Sequence, residues 1–196
     1  MSNNNADRLE KFKSITTEVF ALTLGLGAFS LSSIPLTSME DVVVAIGAFA
    51  IAFMYVAMIW IISSRFFEAY PLYDDAFLAL DFVMLFLVAL GPFIMRAIFF
   101  ESPELQQPMS VLYGLDLMGT YAILGFLHQK FIWQNRECLK PERIKQVKMD
   151  RNMQFVASVW FLVSTVIPIP YRFVFWTLAA AVVPVYRHVI APYHVK

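Results

Sequence analysis

The amino-acid sequence predicts an all-α membrane protein of six transmembrane helices, and three observations predict it. Apolar residues fill 59% of the 196 positions and charged residues only 15%, against roughly 45–50% and about 25% in soluble domains. The apolar residues gather into six runs, most of them close to the ~20 residues that cross a bilayer. Lysine and arginine fall almost wholly on one side of those runs. With a mean hydropathy of +0.64, the chain has too little polar surface to cover a water-soluble core. A cytosolic enzyme, a disordered chain and a disulfide scaffold are excluded on these grounds. A net charge of zero gives no field to attract nucleic acid.

The first span runs over 15–34, with Glu18 as its one charge. The second, 42–62, has none. The third, 76–95, contains Asp81, and the fourth, 109–127, contains Asp116. The fifth, 153–169, is short and runs into Pro168 and Pro170, and the sixth, 173–190, contains Pro184 and Arg187. Each is read as a helix, because an open strand cannot satisfy its backbone in lipid. Alternating strand-length segments are missing, which excludes a β-barrel. The polar residues 1–10 lack the basic flank and apolar core of a secretory leader, so the first span is expected to be retained.

Six crossings put both termini on one side. All of the fifteen Lys and Arg residues except Arg96 and Arg172 then share that side. The positive-inside rule makes it the cytoplasm. The expected location is the cell membrane, multi-pass, with N- and C-termini cytoplasmic. Residues 129–151 form the only sizeable polar piece and carry seven of those cations: Lys130, Arg136, Lys140, Arg143, Lys145, Lys148 and Arg151. They are expected to be a cytoplasmic connector, with a lipid-headgroup patch as the sharper reading. The four Trp residues lie mostly near span ends, as interfacial anchors do. The lone Cys138 offers neither a disulfide nor a metal set. Neither a phosphate loop nor a nucleophile–base set is present, so no enzyme activity and no cofactor are expected.

The first span differs from the rest. It opens Ser14-Ile15-Thr16-Thr17-Glu18 and continues through small residues at Ala21, Gly25, Gly27 and Ala28. Such residues are poor choices for facing lipid and good ones for close helix packing. At spacings of four, four, four and three, Ser14, Glu18, Leu22, Leu26 and Phe29 share one helical stripe. Its functional reading is a pore face, with Leu22, Leu26 and Phe29 as a narrow apolar constriction and Glu18 as a cation-attracting mouth. Its bland reading is a packed interior helix.

At these residues the chain resembles a known family, the prokaryotic six-span branch of the transmembrane protein 175 family of potassium channels. The family's first-span motif is Arg, three residues, Phe-Ser-Asp, then Gly-Val-Phe-Ala-Ile or similar. Here Val19-Phe20-Ala21-Leu22 matches its end, which sets Ile15, Thr16 and Thr17 at Phe-Ser-Asp and Lys11 at the Arg. The second-span ending is Trp60-Ile61-Ile62-Ser63-Ser64-Arg65, with Ser63 and Ser64 where the family has two His. Val88-Ala89-Leu90-Gly91-Pro92-Phe93 resembles the third-span ending, and Tyr113-Gly114-Leu115-Asp116 the fourth span. Asp81 and Asp116 stand at usual Asn positions. The resemblance implies a homotetramer around a pore lined by the first helix and permeable to potassium and other monovalent cations. It carries the pore-facing positions onto Leu22, Leu26 and Phe29. It also implies a polar support for that helix at Lys11, Thr16, Thr17, Ser63, Ser64, Asp81 and Asp116. A hydroxyl that aids selectivity in some members falls at Gly25, which has none. Two alternatives stand beside the channel: a proton-conducting or proton-coupled protein using the intramembrane carboxylates, and a non-conducting scaffold.

Overall fold

The structure, a computed structural model, describes residues 3–32, 37–69 and 74–185. Within these it describes the side chains of 14–29, 37–67, 74–169 and 171–179. Six helices follow in order: α1 (Asn3–Ser32), α2 (Met39–Ala69), α3 (Asp75–Phe100), α4 (Pro103–Asn135), α5 (Pro141–Ser164) and α6 (Ile169–Val185). No strand occurs among the described residues.

The helix starts follow local chemistry. Ahead of α2, the Ser38 amide donates to Asp41 Oδ2 (2.8 Å) and the Asp41 amide donates back to Ser38 Oγ (3.1 Å). Two orphan amide donors are thereby satisfied reciprocally. Asp74 caps α3 by accepting from the Phe77 amide at 2.7 Å. Proline opens α4 and α5, where a missing amide proton costs nothing.

Three helices are long and apolar enough to cross a bilayer, over Met39–Phe67, Asp75–Phe100 and Pro103–Asn135, and α1 has a shorter apolar stretch at Ser14–Phe29. Their outer surfaces are apolar too. Ile46, Phe53, Phe82, Phe86, Phe93 and Val159 are all exposed, which suits acyl chains and not water.

The second half departs from the expected spans. Across the expected connector 129–151, α4 continues to Asn135 and α5 opens at Pro141, leaving a five-residue turn. The basic and amide side chains here are good helix formers. Phe131, Ile132 and Val147 are buried, with Leu139 and Ile144 packed against them, so the hairpin has a small core shared with Phe66, Phe67 and Phe77. The fifth helix also ends early. Its apolar part, 153–164, covers only ~18 Å at 1.5 Å per residue. A turn through 165–168 then leads into α6 at Ile169 rather than Phe173. The proposed end of the sixth span (186–190) and the end of the first (33–34) lie outside the described residues, as do Arg187 and Lys196.

The main core brings α2, α3, α4, α5 and α6 around Tyr55, Tyr113, Tyr121, Phe161 and Trp176, all buried. α4 and α5 lie antiparallel. A Cβ on Gly125 would meet the Phe155 ring at 2.8 Å, Ser158 Oγ donates to the Met118 carbonyl (3.0 Å), and a Cβ on Gly114 would meet Ser164 Oγ at 3.1 Å. Glycine at two of these crossings lets the backbones approach closely.

The candidate pore helix and its supports

Helix α1 has two contrasting faces. Thr16, Phe20, Thr23 and Gly27, spaced four, three and four apart, are buried. That spacing makes one helical stripe. The stripe lies against α3 and α2. Thr16 Oγ1 donates to Asp81 Oδ2 over 3.4 Å. Thr23 returns its hydroxyl to the Val19 carbonyl (2.8 Å), which removes an otherwise unpaired group from the seam. At Gly27 the backbone comes so near α3 that a Cβ would sit 3.1 Å from that of Pro92. Any side chain there would push the helices apart.

The opposite face is exposed. Leu22, Leu26 and Phe29 retain 62%, 52% and 71% of their surface. Ala21, Gly25 and Ala28 lie beside them and are also exposed. Glu18, one turn before Leu22, is exposed and accepts from Ser14 Oγ at 2.8 Å. Among the described residues another face of α1, not the Leu–Leu–Phe stripe, takes the interior place. Among these residues the stripe is an exposed apolar edge on a helix whose inner face combines Phe20 with small and hydroxyl residues.

The expected support residues divide. Thr16 and Asp81 meet, while Thr17, the next residue, is exposed and faces away from that seam. Ser63 is buried, with Oγ 3.8 Å from the sulfur of Met84, and Ser64 is half-buried. Met84 is one turn beyond Asp81, so Ser63 and Thr16 both approach one side of α3. The side chain of Lys11 lies outside the described residues. Asp116 does not join this group: its Oδ2 is 4.0 Å from the position of a Cβ on Gly91. Gly91 is ten residues from Asp81 on the same helix, or ~15 Å along its axis. The two acids stand at different heights and do not share a proton, and Asp116 belongs to the α3–α4 contact. One oxygen of each, Oδ1, has no hydrogen-bond partner among the described residues.

Other polar elements carry no sequence signal strong enough to single them out. Arg172 enters the sequence reading only as an outer-side charge, yet it is fully buried. Its guanidinium donates to the carbonyls of Ile167 (3.0 and 2.6 Å) and Thr165 (2.8 Å) and to Ser110 Oγ. It thereby satisfies carbonyls left open past the end of α5, where a helix favours positive charge. Trp176 is likewise buried rather than interfacial. It donates to Ser164 Oγ at 2.9 Å, and its carbonyl accepts from the Tyr55 hydroxyl. His128 is not at the surface either. Its Nδ1 lies 2.7 Å from the Leu124 carbonyl, and its ring packs on Phe66. A cation or Trp directly after a Pro-rich turn could have hinted at a buried clasp, but its partners are too distant in sequence to be foreseen.

Among the described residues no group of His, Cys, Asp and Glu could hold a metal ion. Comparison with curated proteins and with solved structures found no match. Residues 8–92 match the family model described as "Endosomal/lysosomal potassium channel TMEM175". The matched stretch takes in most of α1, all of α2 and α3 as far as Pro92, which is the part containing the two-faced helix, the Thr16–Asp81 contact and the close Gly27–Pro92 approach. Through these residues the first half of the chain is similar to a family described as potassium channels.

Proposed function

We propose that the chain is the subunit of a passive, potassium-permeable cation channel, a homotetramer in which four copies of α1 surround the pore. The observation that carries this reading is the exposed Leu22–Leu26–Phe29 edge, opposite the face that α1 packs on α3. Turned toward a shared axis, these side chains form a narrow apolar constriction that gates by excluding water. Glu18 forms a ring of acids at the mouth, and Ala21, Gly25 and Ala28 allow neighbouring copies to approach. With glycine at position 25 the pore lacks a hydroxyl there, so preference for potassium over sodium is weak.

Six crossings, as in the prokaryotic branch of the family, fit the packing of the second half. From Phe155 to Ser164, α5 follows the apolar length of α4 from Gly125 to Gly114, and Arg172 of α6 reaches Ser110 near the other end of that length. The basic hairpin and both termini then lie in the cytoplasm of a cell-membrane protein. Thr16 with Asp81, and Ser63 on the same side of α3, support the pore helix from behind. A relay through Asp81 and Asp116 is disfavoured by their separation.

The test is ion flux from liposomes containing purified protein, with the subunits counted in the same preparation. Four subunits and passive potassium flux are expected, and Leu22→Ser or Leu26→Ser raises the flux several-fold. If neither substitution changes it, the constriction is misassigned. A monomer sinks the whole reading.

A further inference from the structure

The rim where α4 and α5 leave the apolar layer carries an inference beyond conduction. It rests on reading α4 as a membrane span. The apolar length of α4 ends near Leu127. The Lys130–Asp74 ion pair (2.6 Å) marks the same level, because α3 starts its apolar run just past Asp74. From Gln129 to Trp133 the helix rises a further ~6 Å, which is the depth of a headgroup layer when the bilayer's ~30 Å core grows to ~40–45 Å with its polar regions.

At that depth Trp133 is 82% exposed. It is not at a loose end, since its neighbours Phe131 and Ile132 are buried against Val147 of α5. The indole is therefore held outward on a braced helix. One turn before it, on the same side of α4, Gln129 Oε1 accepts from Arg151 of α5. Asn152 Oδ1 accepts two further bonds from the same guanidinium, at 3.1 and 2.7 Å. Arg151 is thus fixed by neutral amides, with no carboxylate partner among the described residues. Lys148, one turn further from the membrane, is exposed and makes no ion pair among the described residues. Of the three acids in 129–151, Glu137 and Glu142 belong to the far tip of the hairpin, and Asp150, next to Arg151 in sequence, is half-buried.

A positioned guanidinium, a second cation one turn outward and an exposed indole at the interface form a surface that complements one chemistry. We propose that this rim binds the headgroup of an anionic phospholipid. Arg151 and Lys148 take the phosphate, and Trp133 lies against the glycerol and upper acyl region, where its amphipathic ring is favoured.

Native mass spectrometry of the full chain in detergent tests this with phosphatidylglycerol and phosphatidylcholine added separately. Because no flux is measured, failure here is distinguishable from failure of the channel reading. Wild type is expected to prefer phosphatidylglycerol. The double substitution Arg151→Gln with Lys148→Gln should weaken that lipid roughly thirtyfold, about fivefold per cation near an anionic surface, and leave phosphatidylcholine unchanged. Trp133→Ala should weaken both lipids, and Lys140→Gln at the hairpin tip neither. If the double variant does not fold, Lys148→Gln alone carries the test, since that side chain has no bond to lose. Equal binding of the two lipids by wild type overturns the proposal. So does undiminished phosphatidylglycerol binding by the folded variant, or its displacement by inorganic phosphate.

Discussion

The seam that holds α1 and the core that joins α4, α5 and α6 solve the same problem differently. At the seam, α1 contributes a buried aromatic, Phe20, beside small and hydroxyl residues, one 3.4 Å hydrogen bond from Thr16 to Asp81, and the close approach of Gly27 to Pro92. In the core, Tyr55, Tyr113, Phe161 and Trp176 interlock edge to face. Arg172 there ties the α5–α6 turn to Ser110. In lipid there is little hydrophobic drive between helices, so packing and hydrogen bonds decide how firmly each is held. By that measure α1 is the lightly held helix and the second half is the frame. The difference teaches that a helix proposed to line a pore is held on one face only by its own chain, and that the proposed tetramer would supply a second contact on its exposed edge.

The comparison breaks first at Arg172. Arg172→Met leaves the half-buried Thr165 and Ile167 carbonyls and the buried Ser110 hydroxyl without their donor, at a cost of about 3 kcal/mol. A large fall in the thermal midpoint in detergent, followed through tryptophan fluorescence, is expected. Arg172→Lys should restore only part of it, because a lysine cannot reproduce the planar fork. A midpoint unchanged in Arg172→Met would remove the clasp from the argument.

Thr16→Val is the matching test of the seam. It strips Asp81 of its one described donor at a cost of about 1 kcal/mol, and Thr16→Ser should be close to neutral. Faster trypsin cleavage at Arg8, Lys11 or Lys13 would show α1 loosening while the second half keeps its midpoint. If both halves weaken together, the seam and the frame are one cooperative unit and the contrast fails.

The smallest effect lies at Asp74. Hydrogen bonding to Lys130 holds its carboxyl below the usual carboxylate range, with the Phe77 amide and Gln134 adding to the shift. A depressed folded-state pKa contributes stability above the unfolded value of about 4, and that contribution is lost as pH falls through the folded value. Asp74→Asn keeps a capping side chain. The thermal midpoints of wild type and variant should therefore differ near neutral pH and converge in acid, by no more than about 1 kcal/mol for a pair this exposed. A gap that persists at low pH would assign the effect to something other than the ion pair.

Much of the α1 site can be read along the chain. The stripe spacing of Leu22, Leu26 and Phe29 follows from helical geometry, and the small residues beside them mark a helix that does not face lipid alone. Which acid stands behind α1 was harder. Asp81 and Asp116 look alike in sequence, each a lone carboxylate in an apolar run, and only the crossing of α3 with α4 sets them at different heights. The basic segment shows the same limit. Its charges suggest a connector but not its shape, since Phe131, Ile132, Ile144 and Val147 find their core only once α4 and α5 fold back on each other.

By itself the sequence determined that the elements are helices and which of them are apolar, because lipid leaves the backbone no other open solution and composition records each run. It also determined that α1 has a distinct stripe, because helical periodicity is local. Only the tertiary structure decided which stripe faces out and where the buried cation goes. Those outcomes depend on contacts such as Arg172 with Ser110 and Tyr55 with Trp176, between residues 62 and 121 positions apart. Pairings at that distance follow from how whole helices cross, which no short stretch of residues encodes.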